Sequence, residues 1–124
     1  MASYTNSCPC NEKYEGNCAH YLSNWMIKNG KLSTNPKGAY CCKEGRPIRA
    51  KEMRDVFVNC LKLKRKFNPP KDRNDNVINC YIYCEKTENP NKGQGHVYYG
   101  KKNNCVAGTG SADGFDMKYV EYYY

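Results

Sequence analysis

The stretch NCAHYLSNWMIKNG, residues 17–30, predicts the first helix of the chain and the layer on which the rest is built. Asn17 is a residue type favoured at a helix N-cap, and Gly30 stands where helices commonly end in a left-handed residue. The face of this helix that carries helically spaced apolar residues comprises Cys18, Leu22, Trp25 and Met26, with Asn29 at its end. Such a face must be buried, so we expect the helix to pack on another element.

The remaining pattern indicates an α+β fold. A second helix is expected from Pro47 to about Lys62, because proline suits the first helical turn. Its buried stripe is predicted to be Met53, Val56, Phe57 and Cys60. Strands are predicted at Val77–Cys84, His96–Tyr99, Cys105–Ala107 and Met117–Tyr124. Two helices followed by four antiparallel strands favour helices packed on one small sheet.

The length and the cysteine content limit the class of protein. We expect the 124 residues to form one domain, 1–124, in which residues 1–16 are an irregular arm. Only 17 residues are Val, Ile, Leu or Phe, whereas nine are Cys. We therefore expect disulfides to stabilise the fold and the protein to be secreted, with its signal peptide absent from this sequence.

The net charge of +8 favours anionic partners. The densest basic run is Lys62–Lys66. Nucleic acid, anionic membranes and bacterial wall polymers all fit such a surface, and so does a solvated face with no partner. No stretch of about 18 apolar residues is present, so a membrane span is not expected.

Cys18 is the candidate nucleophile. Nine is an odd number, so one cysteine stays unpaired if the other eight form four disulfides. A cysteine in the first turn of a helix meets unpaired backbone N–H groups that stabilise a thiolate. The backbone N–H of Cys18 is also the candidate oxyanion donor. The alternative is that Cys18 forms a disulfide and that another cysteine is free.

His96 is the candidate base for this thiol. His20 follows Cys18 by two residues, so it points roughly 200° around the helix axis. We expect His20 to pack against Asn24 and Ile27 instead. His96 lies in Gly95-His96-Val97-Tyr98-Tyr99-Gly100, at the mouth of a predicted strand. A structural histidine bonded to the backbone is the alternative.

These two motifs resemble those of the NlpC/P60 superfamily of papain-like cysteine peptidases. Residues 17–24 resemble its nucleophile helix, and residues 95–100 resemble its His-Val-x-x-Tyr-x-Gly strand, shortened by two residues. In size and style the chain is similar to the amidase effectors of type VI secretion and to their copies domesticated by arthropods. The resemblance implies a papain-like fold and a secreted, antibacterial peptidoglycan amidase or endopeptidase of innate immunity.

The resemblance also implies further site residues. Tyr14 and Asn17 are the substrate-binding candidates. A third polar residue should orient the histidine. If Gly100 and Cys105 face each other across a turn, Thr109 falls opposite His96, with Asp113 and Asp116 just beyond it and Asn104 just before it. We choose Asp113 as this third catalytic residue.

Other functions remain open. A cationic, toxin-like antimicrobial protein would bind through charge and tyrosine, with all its cysteines structural. A secreted ribonuclease fits the size, the charge and the two histidines, with Lys62 and Lys64 to bind phosphate. No cofactor or metal is expected, because C-x-x-C is absent and Cys80-x-x-x-Cys84 has no second half. We expect a monomer whose partner is peptidoglycan, with no nucleic acid partner.

Overall fold

The computed structural model describes residues 8–12, 14, 17–87 and 95–124. Within them lie the helices α1 (Cys18–Lys28) and α2 (Ala50–Asp55), a π-helical turn (Val56–Cys60), and the strands β1 (Arg65–Lys66), β2 (Cys80–Glu85), β3 (His96–Lys101), β4 (Asn104–Ala107) and β5 (Tyr119–Tyr123). The strands form one antiparallel sheet in the order β1-β5-β2-β3-β4. The predicted α+β class is confirmed, and the short edge strand β1 is an addition.

The end of α1 agrees with the prediction. Gly30 has a φ of 71°, in the left-handed region that glycine tolerates. The N–H of Lys31 donates to the carbonyl of Met26 at 2.7 Å, and that of Gly30 donates to Ile27 at 3.2 Å. This pair of bonds is the Schellman motif, so the glycine ends the helix as expected.

The second helix differs from the prediction at both ends. It begins at Ala50, and Pro47 instead bridges to Cys41. Met53 and Phe57 are fully buried, but Cys60 is exposed. The π-helical turn widens the backbone from Val56 onward, so Cys60, the last of the four stripe residues, rotates out of the core. No helix in the described ranges is long and apolar enough to cross a membrane.

The sheet is buried on both faces. On one face it packs against the two helices through a cluster formed by Cys18, Ala19, Leu22, Met26, Met53, Val56, Phe57, Tyr83, Val97, Ala107 and Tyr123. On the other face it packs against the segment that follows β4, through Cys80, Ile82, Cys84, Tyr98, Ala112 and Tyr122. Alternate residues of each strand therefore enter different cores.

The expected disulfides are not formed, which corrects the prediction. All nine cysteines lie in the described ranges, and no disulfide joins any two of them there. Even the Sγ atoms of Cys8 and Cys42, which are in contact, lie 3.7 Å apart, against about 2.05 Å for a disulfide bond.

Aromatic packing supplies buried apolar area where aliphatic residues are scarce. The ring of Phe57 lies 4.9 Å from that of Tyr81 and 5.1 Å from that of Tyr123.

A buried carboxylate, Glu121 on β5, organises one end of the sheet. Its side chain is fully buried. It accepts hydrogen bonds from the hydroxyls of Tyr119 and Tyr123, the latter at 2.6 Å. Nη1 of Arg54 and Nη1 of Arg65 lie 3.6 and 3.8 Å from it. A buried charge is tolerated only when it has such partners.

Replacing this carboxylate should be costly. We expect Glu121→Ala to lower the free energy of unfolding by about 3–5 kcal/mol, because it leaves two tyrosine hydroxyls and Arg54 without their acceptor. Urea denaturation measures the change. The control is Lys118→Ala, which removes the ion pair of a 58% exposed lysine side chain with Asp116 and should cost less than about 1 kcal/mol. Equal losses in both variants would contradict a central role for Glu121.

Candidate functional site

Cys18 lies where the start of α1 meets the start of β3. It is the first residue of the helix and is 8% exposed. Its Sγ donates to the carbonyl oxygen of Gly95 at 3.8 Å. The backbone N–H groups of Cys18, Ala19 and Val97 face the same sulfur. The predicted position of the thiol at a helix start is confirmed, and the strand supplies an additional N–H group.

Burial controls the protonation of this thiol. It raises the pKa of Cys18, and the three backbone N–H groups oppose that effect without reversing it. The predicted helix start therefore does not produce a resting thiolate. A base must remove the proton before the sulfur can attack a carbonyl carbon.

His96 lies at the first position of β3 and is 5% exposed. Its Nε2 donates to the carbonyl oxygen of Gly110 at 2.7 Å. Its ring stacks on Tyr98 at 5.4 Å and meets the edge of Phe115 at 4.8 Å. A carbonyl only accepts hydrogen bonds, so Nε2 carries the proton and Nδ1 is the basic nitrogen. Burial lowers the pKa of His96, so the imidazole is neutral at pH 7.

The structure does not bring Cys18 and His96 into contact. Val97 packs with Cys18 in the core under the helices, whereas His96 stacks on Tyr98, which belongs to the core on the opposite face. Both side chains belong to the described part of the chain, and no hydrogen bond joins them there. The two side chains lie at the same end of β3 but on opposite faces of the sheet.

A β-bulge decides which residue lies opposite His96. Gly100 pairs with Cys105, the pairing assumed in choosing the third catalytic residue, whereas the preceding residue, Tyr99, pairs with Ala107. One extra residue of β4 therefore lies between two consecutive pairs. Every position beyond the bulge is shifted by one residue.

Because of this shift, Gly110 rather than Thr109 comes opposite His96, and its carbonyl holds the imidazole. Asp113, the predicted third catalytic residue, lies elsewhere. Its carboxylate pairs with Nζ of Lys102 at 3.2 Å and is 49% exposed. The backbone of Gly110, and not the side chain of Asp113, occupies the orienting position.

The side chain of His20 is fully buried and contacts the N-terminal segment. Its expected packing against Asn24 and Ile27 stays a prediction. Nδ1 lies 3.3 Å from Oδ1 of Asn17, and Nε2 lies 3.5 Å from Sγ of Cys10. The amide oxygen of Asn17 thus bonds to His20 and makes no side-chain cap on α1.

The two substrate-binding candidates both lie beside this histidine. The ring of Tyr14 meets that of His20 edge to face at 5.1 Å, and its hydroxyl donates to Glu12 at 2.9 Å. Oδ1 of Asn17 accepts a hydrogen bond from Nδ1 of His20. Neither side chain contacts Cys18 through a hydrogen bond in the described structure, so a direct role in binding substrate at the thiol stays a prediction.

A cluster of four potential metal ligands lies near these residues and was missed by the sequence analysis. It comprises Cys8, Cys10, His20 and Cys42, all buried, with donor atoms within 4.8 Å of one another. Three separate segments contribute to it, so no short spacing motif in the sequence indicates it. The signals in the sequence are the close cysteines of Cys8-Pro9-Cys10 and the adjacent Cys41 and Cys42.

The basic run borders a surface cavity of about 450 Å³. The cationic side chains that line it are Arg54, Lys64 and Arg65.

Comparison of the chain with protein-family models, with curated proteins and with solved structures gives no match.

The buried imidazole predicts a pH dependence of stability. The pKa of His96 lies below its ordinary value of 6.5 in the folded chain. The unfolded chain therefore binds a proton at a higher pH than the folded chain, and stability is lost as the pH falls below 6.5. Urea denaturation at pH 7.5 and pH 5.5 should show a smaller loss for His96→Gln than for the wild type. Identical losses would contradict a buried neutral imidazole.

Proposed function

We propose that the protein is a secreted cysteine hydrolase that cleaves amide bonds in the stem peptide or crosslink of bacterial peptidoglycan. Cys18 is the nucleophile and His96 is the base. The observation that carries the proposal is the position of the Cys18 sulfur, at a helix start among three backbone N–H groups. The NlpC/P60-like motifs at residues 17–24 and 95–100 support it.

The surroundings of the sulfur suit attack on an amide. A carbonyl carbon bonded to Sγ would place its oxygen beside the backbone N–H groups that now face the sulfur. Donors fixed in the backbone stabilise the developing oxyanion without having to reorganise. The N–H of Cys18 is the donor assigned to this role.

The base must move before it can act. Nδ1 of His96 is the free basic nitrogen, but the Nε2 bond to Gly110 holds the ring on the far face of β3. In the proposed mechanism the Gly110 bond breaks and the backbone at the start of β3 changes conformation, because rotation about the Cα–Cβ bond alone would leave the imidazole on its own face of the sheet. Opening of the contact with Phe115 is part of the same motion. The resting structure is thus an inactive arrangement of the two groups.

The chemistry then follows the thiol–imidazole scheme. Nδ1 takes the proton of Cys18 as the sulfur attacks the amide carbon, and the imidazolium gives a proton to the leaving amine. Water attacks the resulting thioester, His96 accepts a proton from that water, and the thiol is restored. The net reaction is hydrolysis of one amide bond.

The cationic surface supports a wall substrate. The net charge is +8, and Lys64 and Arg65 line a surface cavity. Anionic wall polymers would concentrate such a protein at the bacterial surface. We propose that the protein acts there as a monomer and that its effect is antibacterial.

A non-enzymatic cationic binding protein is the second candidate. The separation of Cys18 from His96 favours it, because no catalytic pair is assembled in the described structure. A two-histidine ribonuclease has less support. His20 contacts Cys10 and His96 contacts Gly110, so the two imidazoles do not share a site.

Substitution of the nucleophile tests the proposal. Cys18→Ala should lower the release of soluble muropeptides from purified peptidoglycan by about 10³-fold or more. His96→Ala should lower it by about 10²–10⁴-fold. Chromatography of the released fragments measures both. The matched control is Cys60→Ala, which removes an exposed thiol and should retain activity. Equal release from the wild type and Cys18→Ala would refute the hydrolase and favour the binding protein.

Salt should act on the binding of the wall and not on the chemical step. Raising the ionic strength from about 0.01 M to about 1 M shortens the Debye length from about 30 to about 3 Å. We expect the release of soluble muropeptides from whole walls to fall over this range of ionic strength. Hydrolysis of a small uncharged stem-peptide fragment should change little.

The double variant Lys62→Gln/Lys64→Gln should show a weaker salt dependence on whole walls. Its hydrolysis of the small fragment should match that of the wild type, because neither lysine lies at Cys18. A salt dependence as steep as that of the wild type would show that the basic run does not mediate wall binding.

A further inference from the structure

The cluster of Cys8, Cys10, His20 and Cys42 has no part in the hydrolase mechanism. All four side chains are buried, at exposed fractions of 7%, 1%, 0% and 5%. Three soft sulfur donors and one imidazole nitrogen converge there, within 4.8 Å of one another. Sulfur and imidazole are the donors that zinc takes in structural sites.

Two of the six separations between the donor atoms match the edges of a zinc tetrahedron. With Zn–S near 2.3 Å and Zn–N near 2.05 Å, the edges of a tetrahedron are about 3.8 Å between two sulfurs and about 3.6 Å between sulfur and nitrogen. Sγ of Cys8 and Sγ of Cys42 are 3.7 Å apart, and Sγ of Cys10 is 3.5 Å from Nε2 of His20. The widest separation, 4.8 Å, exceeds such an edge by about 1 Å.

His20 is oriented as a metal ligand. Its Nδ1 lies 3.3 Å from Oδ1 of Asn17, an atom that only accepts hydrogen bonds. Nδ1 therefore carries the proton, and the lone pair of Nε2 points toward the sulfurs. Metal-binding histidines usually donate their second nitrogen to a carbonyl or carboxylate oxygen in this way.

Cys8 and Cys42 begin two turns of similar form. In each turn the backbone N–H three residues after the cysteine donates to the carbonyl oxygen of that cysteine. Asn11 donates to Cys8 at 3.3 Å, and Gly45 donates to Cys42 at 2.9 Å. Asn11 and Gly45 both have positive φ, 55° and 81°.

Backbone N–H groups inside and beside these turns face the sulfurs. That of Cys10 faces Cys8, and that of Glu44 faces Cys42. The N–H of Glu12 likewise donates to Sγ of Cys10 at 3.4 Å. Such N–H groups stabilise bound thiolates, because a charge-assisted hydrogen bond is stronger than a neutral one.

We propose that Cys8, Cys10, His20 and Cys42 bind one Zn²⁺ ion in a structural site. Four protein ligands complete the tetrahedral shell and leave no position for a water or a substrate. Binding releases the three thiol protons and leaves three thiolates and a neutral imidazole on the metal. The competing arrangement is a disulfide between Cys8 and Cys42, which would leave Cys10 and His20 with no metal to share.

The site joins three segments of the chain. It ties residues 8–10 and the turn that begins at Cys42 to the first turn of α1, which carries His20. Cys18 lies in the same helical turn, so zinc would fix the start of the helix that presents this thiol. The proposal itself does not depend on the hydrolase function, because its test measures metal and not catalysis.

Metal content and a matched pair of variants test the site. The chain purified with zinc and without a chelator should contain one zinc per molecule by plasma mass spectrometry. Cys42→Ser should lose most of this zinc. Cys41→Ser should keep it, because the neighbouring thiol of Cys41 donates to the carbonyl of Ala39 instead. A zinc content below one half per chain in the wild type, or equal loss from both variants, would overturn the proposal.

Two measurements on the wild type cover the case in which Cys42→Ser does not fold. Replacing zinc by Co²⁺ should give the intense visible bands of a tetrahedral thiolate site, and removing zinc with a chelator should lower the midpoint of thermal unfolding, reversibly on adding zinc. An octahedral cobalt spectrum or an unchanged midpoint would overturn the proposal. A disulfide between Cys8 and Cys42 would also overturn the proposal. It would appear as an intact mass, measured without reductant, that is lower by two hydrogen atoms than that of the fully reduced chain.

Discussion

Strand β3 is buried on both faces, and its two-residue alternation decides which side chains meet the helices. Val97 turns toward α1 and packs with Cys18, and Tyr99 stacks on Trp25 at 5.4 Å. His96 turns to the opposite core, where the segment after β4 covers it. A shift of one residue in the register of β3 would exchange every one of these contacts. The separation of thiol and imidazole is a consequence of this alternation.

The core depends on tyrosine as much as on aliphatic residues. Tyr83, Tyr98 and Tyr123 are among the largest fully buried side chains. A buried tyrosine brings a hydroxyl that needs a partner, and two of these hydroxyls bond to the buried carboxylates Glu85 and Glu121. The fold therefore buries aromatic area together with charge. No disulfide joins the cysteines of the described ranges.

The first turn of α1 lies between two different kinds of sulfur chemistry. On one side Cys18 is a single thiol among backbone N–H groups, at the junction with β3. On the other side His20 faces three cysteines. Two residues along a helix are separated by about 200°, so the same turn serves both environments. This geometry separates the proposed nucleophile from the thiols that are proposed to bind metal.

Local patterns were sufficient to predict the first helix, the α+β class and the position of Cys18 at a helix start. The predicted stop at Gly30 is confirmed, and the assumed pairing of Gly100 with Cys105 is present, because caps and hairpin turns depend on neighbouring residues. Contacts between distant segments were decided only by the tertiary structure. One bulge moved the partner of His96 from Thr109 to Gly110. The cysteine cluster draws on an arm, a helix and a loop, and spacing along the chain carries no information about how such segments meet in space.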